Sequence, residues 1–330
     1  TFAAALFDDR PYTEYKSLVL RNSGNDAMST RLLDGFQSRL LDAYGTQVIH
    51  QAWKPVTVFL NGQYWGHMNL RERVDRFFIA QFEGLPLDQA DEMDILEANG
   101  SVNSNKAYRA MLKKIKAGSP ATNPDDLQYI LDNVDVDNLF EYMALEMFVG
   151  NSDIGNIRYY RLHQEGSKWK WIWYDADYGL YSSKFNSPWS YMKVKGMGEQ
   201  KIDNTIFLKL LEHPDYKRKF LEKLADVYKT FTTEYMTQVL DGVVAEIQPE
   251  MKNHWERWGE LNDKAVTSEV PTTIDGAYTY WESRVNRLYN TLKVRPHRLW
   301  DFIKDEFKLT KTEMEELFGP QPDYPDDAVL

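Results

Sequence analysis

The chain has 330 residues, 43% hydrophobic and 27% charged, an ordinary balance for a folded protein with material for a sizeable core. Its net charge of −11 argues against a general nucleic-acid binder and against a polybasic membrane contact. There is no cysteine, which excludes disulfides, thiolate metal sites and a cysteine nucleophile, and the 6 histidines are scattered without ligand spacing, so a zinc site is not expected.

No run of about 18 apolar residues marks a membrane span. The opening TFAAALFDD reads as an internal start, with the expectation that an export signal precedes it in the full gene. In chain order, YKSLVLRN (15–22) reads as a strand ending in the turn signal Asn22-Ser23-Gly24-Asn25, and 29–44 as a helix with Leu32, Leu33, Phe36, Leu40 and Leu41 on one face, capped by Gly45. KPVTVFL, Asn61-Gly62 and QYWGHMNL form the strongest short hairpin signal in the chain, because a two-residue turn of this type needs positive φ at both central positions. RERVDRFFIAQF (71–82) reads as a helix packed on that sheet, and 93–96 as a short strand before the breaker Asn99-Gly100. Helices are expected over 104–117, 124–132 and 135–150. After Gly179 a long Gly- and Ser-containing loop runs over 180–204, its length suggesting a functional segment. Residues 205–258 read as helical, 259–276 as a loop, and 277–293 and 297–307 as two helices separated by Pro296. GPQPDYPDDAVL closes the chain as an acidic, Pro-rich tail.

The stretch with chemistry in it is GNSDIGNIRYYRLHQEGSKWKWIWYDADYG, residues 150–179. IRYYRLH and KWKWIWY are aromatic and β-branched, and QEGS between them supplies a glycine-containing turn, so a two-stranded ribbon brings its acidic ends together. Asp153 and Asn156 stand before the ribbon, Asp175 and Asp177 after it. Converging at one end, they offer hard oxygen ligands for a magnesium ion and a carboxylate for a substrate hydroxyl. Trp169, Trp171 and Trp173 alternate, so they share one strand face, which is either a sugar-stacking platform or, more commonly, core.

The order resembles that of protein kinases, where a catalytic Asp, a metal-side Asn, a hairpin and Asp-Phe-Gly follow one another; here Asp177-Tyr178-Gly179 takes the last place. The Asn follows Asp153 by three positions instead of five. YKSLVLRNSGND, FLNGQYWGHMNLRERVDRFF, DVDNLFEYMALEMFVGNSDIGNIRYYR, KWKWIWYDADYG and RPHRLWDFI together resemble the CotH family of spore-coat kinase-like proteins. The resemblance implies an α+β, two-lobed protein-kinase-like fold, with a β-rich first lobe at 1–98, a mostly helical second lobe at 99–320 and the tail at 321–330.

It further implies an exported atypical kinase that uses ATP with Mg2+ or Mn2+ to phosphorylate Ser or Thr on a secreted, cell-surface or spore-coat protein, basic segments being one class of target. By motif, Asp153 resembles the catalytic carboxylate, Asn156 the metal-side amide, Asp177 the principal metal ligand and Asp175 a second. Arg21 is the candidate cation for the phosphates and Glu72 its acidic partner, both alternatively ordinary surface or helix-start residues. No Gly-x-Gly-x-x-Gly loop exists, so Asn22 to Asp26 is the candidate phosphate cover. Two further readings stand beside the kinase: a catalytically silent kinase-like module binding a surface protein or glycan, and a glycosidase with paired carboxylates.

Overall fold

Asn61 and Gly62 take φ of 52° and 78°, the left-handed pair a tight hairpin turn requires, and the strands on either side follow from it. The computed structural model describes residues 2–98, 105–193, 203–258 and 273–326. The Asn99-Gly100 breaker, the stretches 194–202 and 259–272 of the two expected loops, and the last four residues of the tail lie outside them. Strands β1 (Phe2–Ala3) and β2 (Glu14–Tyr15) form a small ribbon. Next, β3 (Leu18–Arg21), β4 (Trp53–Leu60) and β5 (Gln63–Glu72) make an antiparallel sheet in the order β3-β5-β4. Between β3 and β4 lies helix α1 (Leu33–Tyr44), ended by Gly45 at φ 75°.

Helix α2 covers only Arg76–Phe82, which corrects the expectation of a helix from residue 71. Asp75 is its N-cap, accepting the backbone N–H of Phe77 at 2.9 Å and of Phe78 at 3.1 Å. Arg71 and Glu72 instead complete β5, opposite Val19 and Leu18. Strand β6 (Met93–Glu97), read with the first part of the chain, pairs with the acidic hairpin: β7 (Arg158–Leu162) lies between β6 and β8 (Lys170–Ile172). A bridge from Trp173 N–H to the Ile49 carbonyl, 2.9 Å, ties the hairpin's outgoing end to the segment that leads into β4.

The rest is helical: α3 (Lys106–Ala117), α4 (Pro124–Asn133), α5 (Val136–Val149), α6 (Ser187–Tyr191), α7 (Thr205–Leu211), α8 (Pro214–Thr230), α9 (Thr233–Trp258), α10 (Ile274–Phe307) and α11 (Lys311–Phe318). Helix α6 falls inside the stretch expected to be loop; Asn186 caps it by accepting the Trp189 N–H at 3.1 Å. Pro296 does not split α10. The carbonyl it leaves without its i+4 donor, that of Leu292, faces the Thr233 hydroxyl at 3.4 Å, so α9 supplies what proline removes. Among the described residues the architecture is α+β, with small antiparallel sheets against a large set of helices. One core joins α1, α5, the hairpin and α7 to α11. Trp169, Trp171 and Trp173 are 1%, 6% and 3% exposed within it, which closes the sugar-platform reading for that face.

Candidate active site

Helix α5 hands the chain to the site. It ends at Gly150, φ 66°, and Asn151 then accepts the Asp153 N–H on its side-chain oxygen at 3.1 Å, fixing the turn that carries Asp153. The Asn156 amide donates to Asp153 Oδ2 at 2.8 Å and to Asp175 Oδ2 at 3.0 Å. One amide therefore bridges a carboxylate before the hairpin and one after it. Asp175 itself sits at φ 52°, the left-handed turn that redirects the chain out of β8 toward Asp177.

Asp177 points the other way, under the loop after β3. Its Oδ2 accepts the Asn25 N–H at 3.0 Å and lies 3.2 Å from an Arg21 guanidinium nitrogen that also bonds Asp175 Oδ1. Burial pushes the Asp177 carboxyl up to about 6; the Asn25 N–H opposes this, the Asp175 charge adds to it, and Arg21 opposes it. Arg21 is shifted upward: burial disfavours its charge, but the surrounding carboxylates of Asp34, Asp175 and Asp177 outweigh that cost. The loop can come this close only because residue 24 is glycine. A Cβ there would stand 2.5 Å from Asp177 Oδ2 and 2.7 Å from Arg21 Nη2, on a backbone at φ 58°. Asp26, fully enclosed, builds the loop by accepting the N–H groups of Thr30, Leu32 and Leu33 at 2.9, 2.9 and 3.1 Å.

Arg21 and Glu72 do not meet. Glu72 is held by Arg10 at 2.9 Å, by the Ala52 N–H at 2.9 Å and by the Tyr12 hydroxyl. The cause is strand parity. Arg21 lies opposite Asn69 and Glu72 opposite Leu18, three positions along β3, so the two side chains leave opposite faces of the sheet. The carboxylate beside Arg21 is Asp34 of α1, 3.7 Å from its Nε, and Asp34 is bonded in turn by the buried Arg71. Arg71 is fixed by the Ala52 carbonyl at 2.8 Å and the Ser38 hydroxyl at 2.8 Å.

Three participants were thus missed in the sequence: Asp34, Arg71 and Gln37. The Gln37 amide donates to the carbonyls of Ala176 at 2.7 Å and Gly179 at 3.0 Å, clamping the Asp177 turn. The signal for Asp34 and Gln37 was present, since with Ser38 they recur at i, i+3 and i+4 inside an apolar helix. A fourth is Glu146, on the last turn of α5. It is buried, bonded by the Tyr191 hydroxyl at 2.9 Å and by Tyr142 and Asn151, and burial pushes it up to about 7 against those bonds, with the Asp153 charge adding to the rise.

The donor set is hard oxygen throughout. Among the described residues no group of three or more His, Cys, Asp or Glu is arranged to hold a metal by itself. Two carboxylates, Asp175 and Asp177, nevertheless match the one or two that magnesium commonly takes from a protein when substrate phosphates and water complete its shell. The chemistry of these donors fits such an ion.

The site is thus an α+β scaffold that closes a hairpin's acidic ends beneath an arginine and a glycine-containing loop. The chain belongs to the CotH family: the family model described as CotH kinase protein matches residues 3–299. No curated protein matches the chain. No helix among the described residues is long and apolar enough to cross a membrane.

Proposed function

We propose that the protein is an exported, ATP-dependent kinase of two-lobed, kinase-like design, transferring the γ-phosphoryl group to Ser or Thr of a secreted or surface protein. The observation that carries the reading is the Asn156 bridge, which holds Asp153 and Asp175 in fixed relation while Asp177 faces the 22–26 loop. In this reading residues 1–98 and 99–320 form the lobes. Asp153 accepts the proton of the acceptor hydroxyl as its oxygen bonds to the γ-phosphorus, the β–γ bridging bond breaks, and ADP leaves with the electron pair. Arg21 binds phosphate oxygens, oriented by Asp34 in the role first expected of Glu72, and the 22–26 loop covers them. Asp175 and Asp177, with Asn156 beside them, would hold Mg2+ or Mn2+, which supplies charge neutralisation on the phosphates when bound.

One observation favours the second reading, a catalytically silent module that binds a surface protein or glycan: Arg21 spans both Asp175 and Asp177, where a cation would otherwise sit. The test separates the two. Asp177→Ala is expected to lose metal-dependent ATP binding and transfer together, while Asp153→Ala still binds Mg-ATP in calorimetric titration yet fails to label a Ser-rich basic peptide. Equal loss of ATP binding in both variants refutes the division of roles. Wild-type protein that gains no thermal stability from ATP with magnesium or manganese supports the silent module.

A further inference from the structure

Arg295 of α10 is a cation sealed inside the protein. It is 0% exposed, and its hydrogen-bond acceptors are carbonyls and one hydroxyl, with no carboxylate among the described residues. Burial pulls its guanidinium down to about 9, and the charge of Arg298 adds to the fall. A charge buried without a carboxylate is costly, so the reason for it lies in what it bonds. Those acceptors belong to two segments. Nε donates to the Phe148 carbonyl at 2.8 Å and Nη2 to the Met147 carbonyl at 2.7 Å, both in the last turn of α5. Nη1 donates to the Phe185 carbonyl at 2.7 Å, with the Ser183 carbonyl at 3.5 Å, and Nη2 also to the Ser187 hydroxyl at 2.6 Å. The first segment runs into Asp153 and the second leaves Asp177.

The last four carbonyls of a helix lack donors further along it, and at the end of α5 all four are met. Glu146 takes the Gly150 N–H at 2.9 Å, Met147 and Phe148 take Arg295, and Val149 takes the Leu180 N–H at 2.7 Å. With Gly150 at φ 66° the helix stops there, and donors from elsewhere serve what it leaves open. A Cβ on residue 150 would stand 2.8 Å from Arg295 Nη2, so glycine admits the guanidinium as well as the turn. The negative end of the α5 dipole favours a cation at this point. Ser187 adds a bond of its own to the Met147 carbonyl, and Tyr191 of the same helix, α6, reaches Glu146 at 2.9 Å and the Asn151 carbonyl at 3.2 Å. On the other side, Tyr228 of α8 donates to the Pro296 carbonyl at 2.9 Å, which fixes the turn of α10 that carries Arg295.

We propose that Arg295 is a positioning residue for phosphoryl transfer: by tying the end of α5 to the segment 183–187, it holds the Asp153 turn in fixed relation to the turn that carries Asp177. The role rests on the kinase reading of the site. The two turns differ in what else holds them. The Asp177 turn is clamped independently of Arg295, by Gln37 on the Ala176 and Gly179 carbonyls and by the Asn25 N–H on its carboxylate. The Asp153 turn takes its place from the end of α5 through Asn151, whose side chain accepts the Asp153 N–H. Loosening the tie therefore falls on Asp153 first, and on transfer before nucleotide binding.

Arg295→Lys tests this on the whole chain, because it keeps the charge but replaces a fork that reaches both segments by a single nitrogen. Ser187→Ala removes one acceptor and leaves the guanidinium in place, so it carries the test if the lysine variant does not fold. With a Ser-rich basic peptide, kcat of Arg295→Lys should fall at least about ten-fold, since misplacing a reacting group by about 1 Å costs up to about a hundred-fold. Ser187→Ala should lose a few-fold in the same direction. The calorimetric Kd for Mg-ATP should stay within about two-fold of wild type in both variants. Hydrogen exchange should quicken in peptides covering residues 147–153 and 180–191 and stay unchanged in those covering Gln37 and α9. A purely structural role would instead lower the melting temperature and leave kcat per folded molecule unchanged. That result, faster exchange in one segment alone, or a loss of ATP affinity equal to the loss in kcat would each overturn the proposal. Wild-type protein without transfer would refute the kinase reading and with it the role in transfer, whereas an active wild type beside variants of equal kcat refutes the role of Arg295 alone.

Discussion

Asp177 sits where an ionised carboxylate is costly, and Asp177→Asn measures that cost. Its side chain is 1% exposed, and burial raises it from the ordinary 3.8 to about 6. Between these two values the folded state holds more protons than the unfolded chain, so stability falls as pH rises through that window. At about 1.4 kcal/mol per pH unit, the gap corresponds to about 3 kcal/mol by pH 7.5. Asn keeps an oxygen for the Asn25 N–H and has no charge, so it imitates the protonated carboxyl. The variant should therefore be more stable than wild type by about 2–3 kcal/mol at pH 7.5, with the difference closing toward pH 4. Urea denaturation of both proteins at intervals from pH 4 to 8 reads this directly, each pH giving its own difference. A variant less stable than wild type at pH 7.5, or a difference independent of pH, refutes the argument and means that Arg21 compensates the buried charge in full. A second arm tests purpose: ATP with magnesium should raise the midpoint of wild type and leave that of the variant unmoved.

Two more outcomes follow from the same geometry. Gly24→Ala forces a Cβ to within 2.5 Å of Asp177 Oδ2 on a backbone at φ 58°, so it should destabilise the fold by about 1–3 kcal/mol and weaken ATP binding; an unchanged urea midpoint would contradict the close approach. Glu146, pushed up to about 7, accepts bonds from Tyr191, Tyr142 and Asn151 when ionised and loses acceptor capacity as pH falls through that value, which loosens Asn151 and the Asp153 N–H it holds. Transfer by wild type should thus fall below pH 7 with a component absent from Glu146→Gln, whose profile should keep only the later fall set by Asp177 near 6; identical profiles would reduce Glu146 to a packing role.

The parts of the site that are local in sequence were legible, and the parts set by register were not. Asp153, Asn156, Asp175 and Asp177 lie within one hairpin, whose aromatic strands and glycine turn announce it. The partner of Arg21 could not be read, because it depends on which residues of β3 and β5 face each other. With Arg21 opposite Asn69, parity sends Glu72 to the far side of the sheet, and a one-residue slip would have sent it back. Arg71 and Glu72 carry good helix formers' letters, yet pairing of Arg71 with Val19 and Trp53 and of Glu72 with Leu18 overrides propensity, and the helix waits for the Asp75 cap. Pro296 shows the same limit, since the Leu292 carbonyl it leaves without a donor is met by a hydroxyl 59 residues from Leu292 in sequence. Helix α11, by contrast, was announced and overlooked: Thr310 and Glu313 form a capping box, the Glu313 N–H reaching the Thr310 hydroxyl at 3.2 Å and the Thr310 N–H reaching the Glu313 carboxylate at 2.7 Å.

The helix that most affects the acidic centre is α1, which contributes no residue to the hairpin. From one face Asp34 engages Arg21 and Arg71, and one turn later Gln37 holds the carbonyls on both sides of Asp177-Tyr178. The same helix buries Leu33, Phe36, Leu40 and Leu41 in the core shared with α5 and α9. Any shift of α1 along its axis must then move the cation and the Asp177 turn together, because both are bonded to side chains one turn apart on a rigid rod. Separating Arg21 from Asp175 and Asp177, as phosphates and a metal require in the proposed reaction, therefore takes a swing of the Arg21 side chain and not a shift of α1, and such a swing leaves the Asn156 bridge between Asp153 and Asp175 intact. The acceptor carboxylate would stay in place while the cation moves.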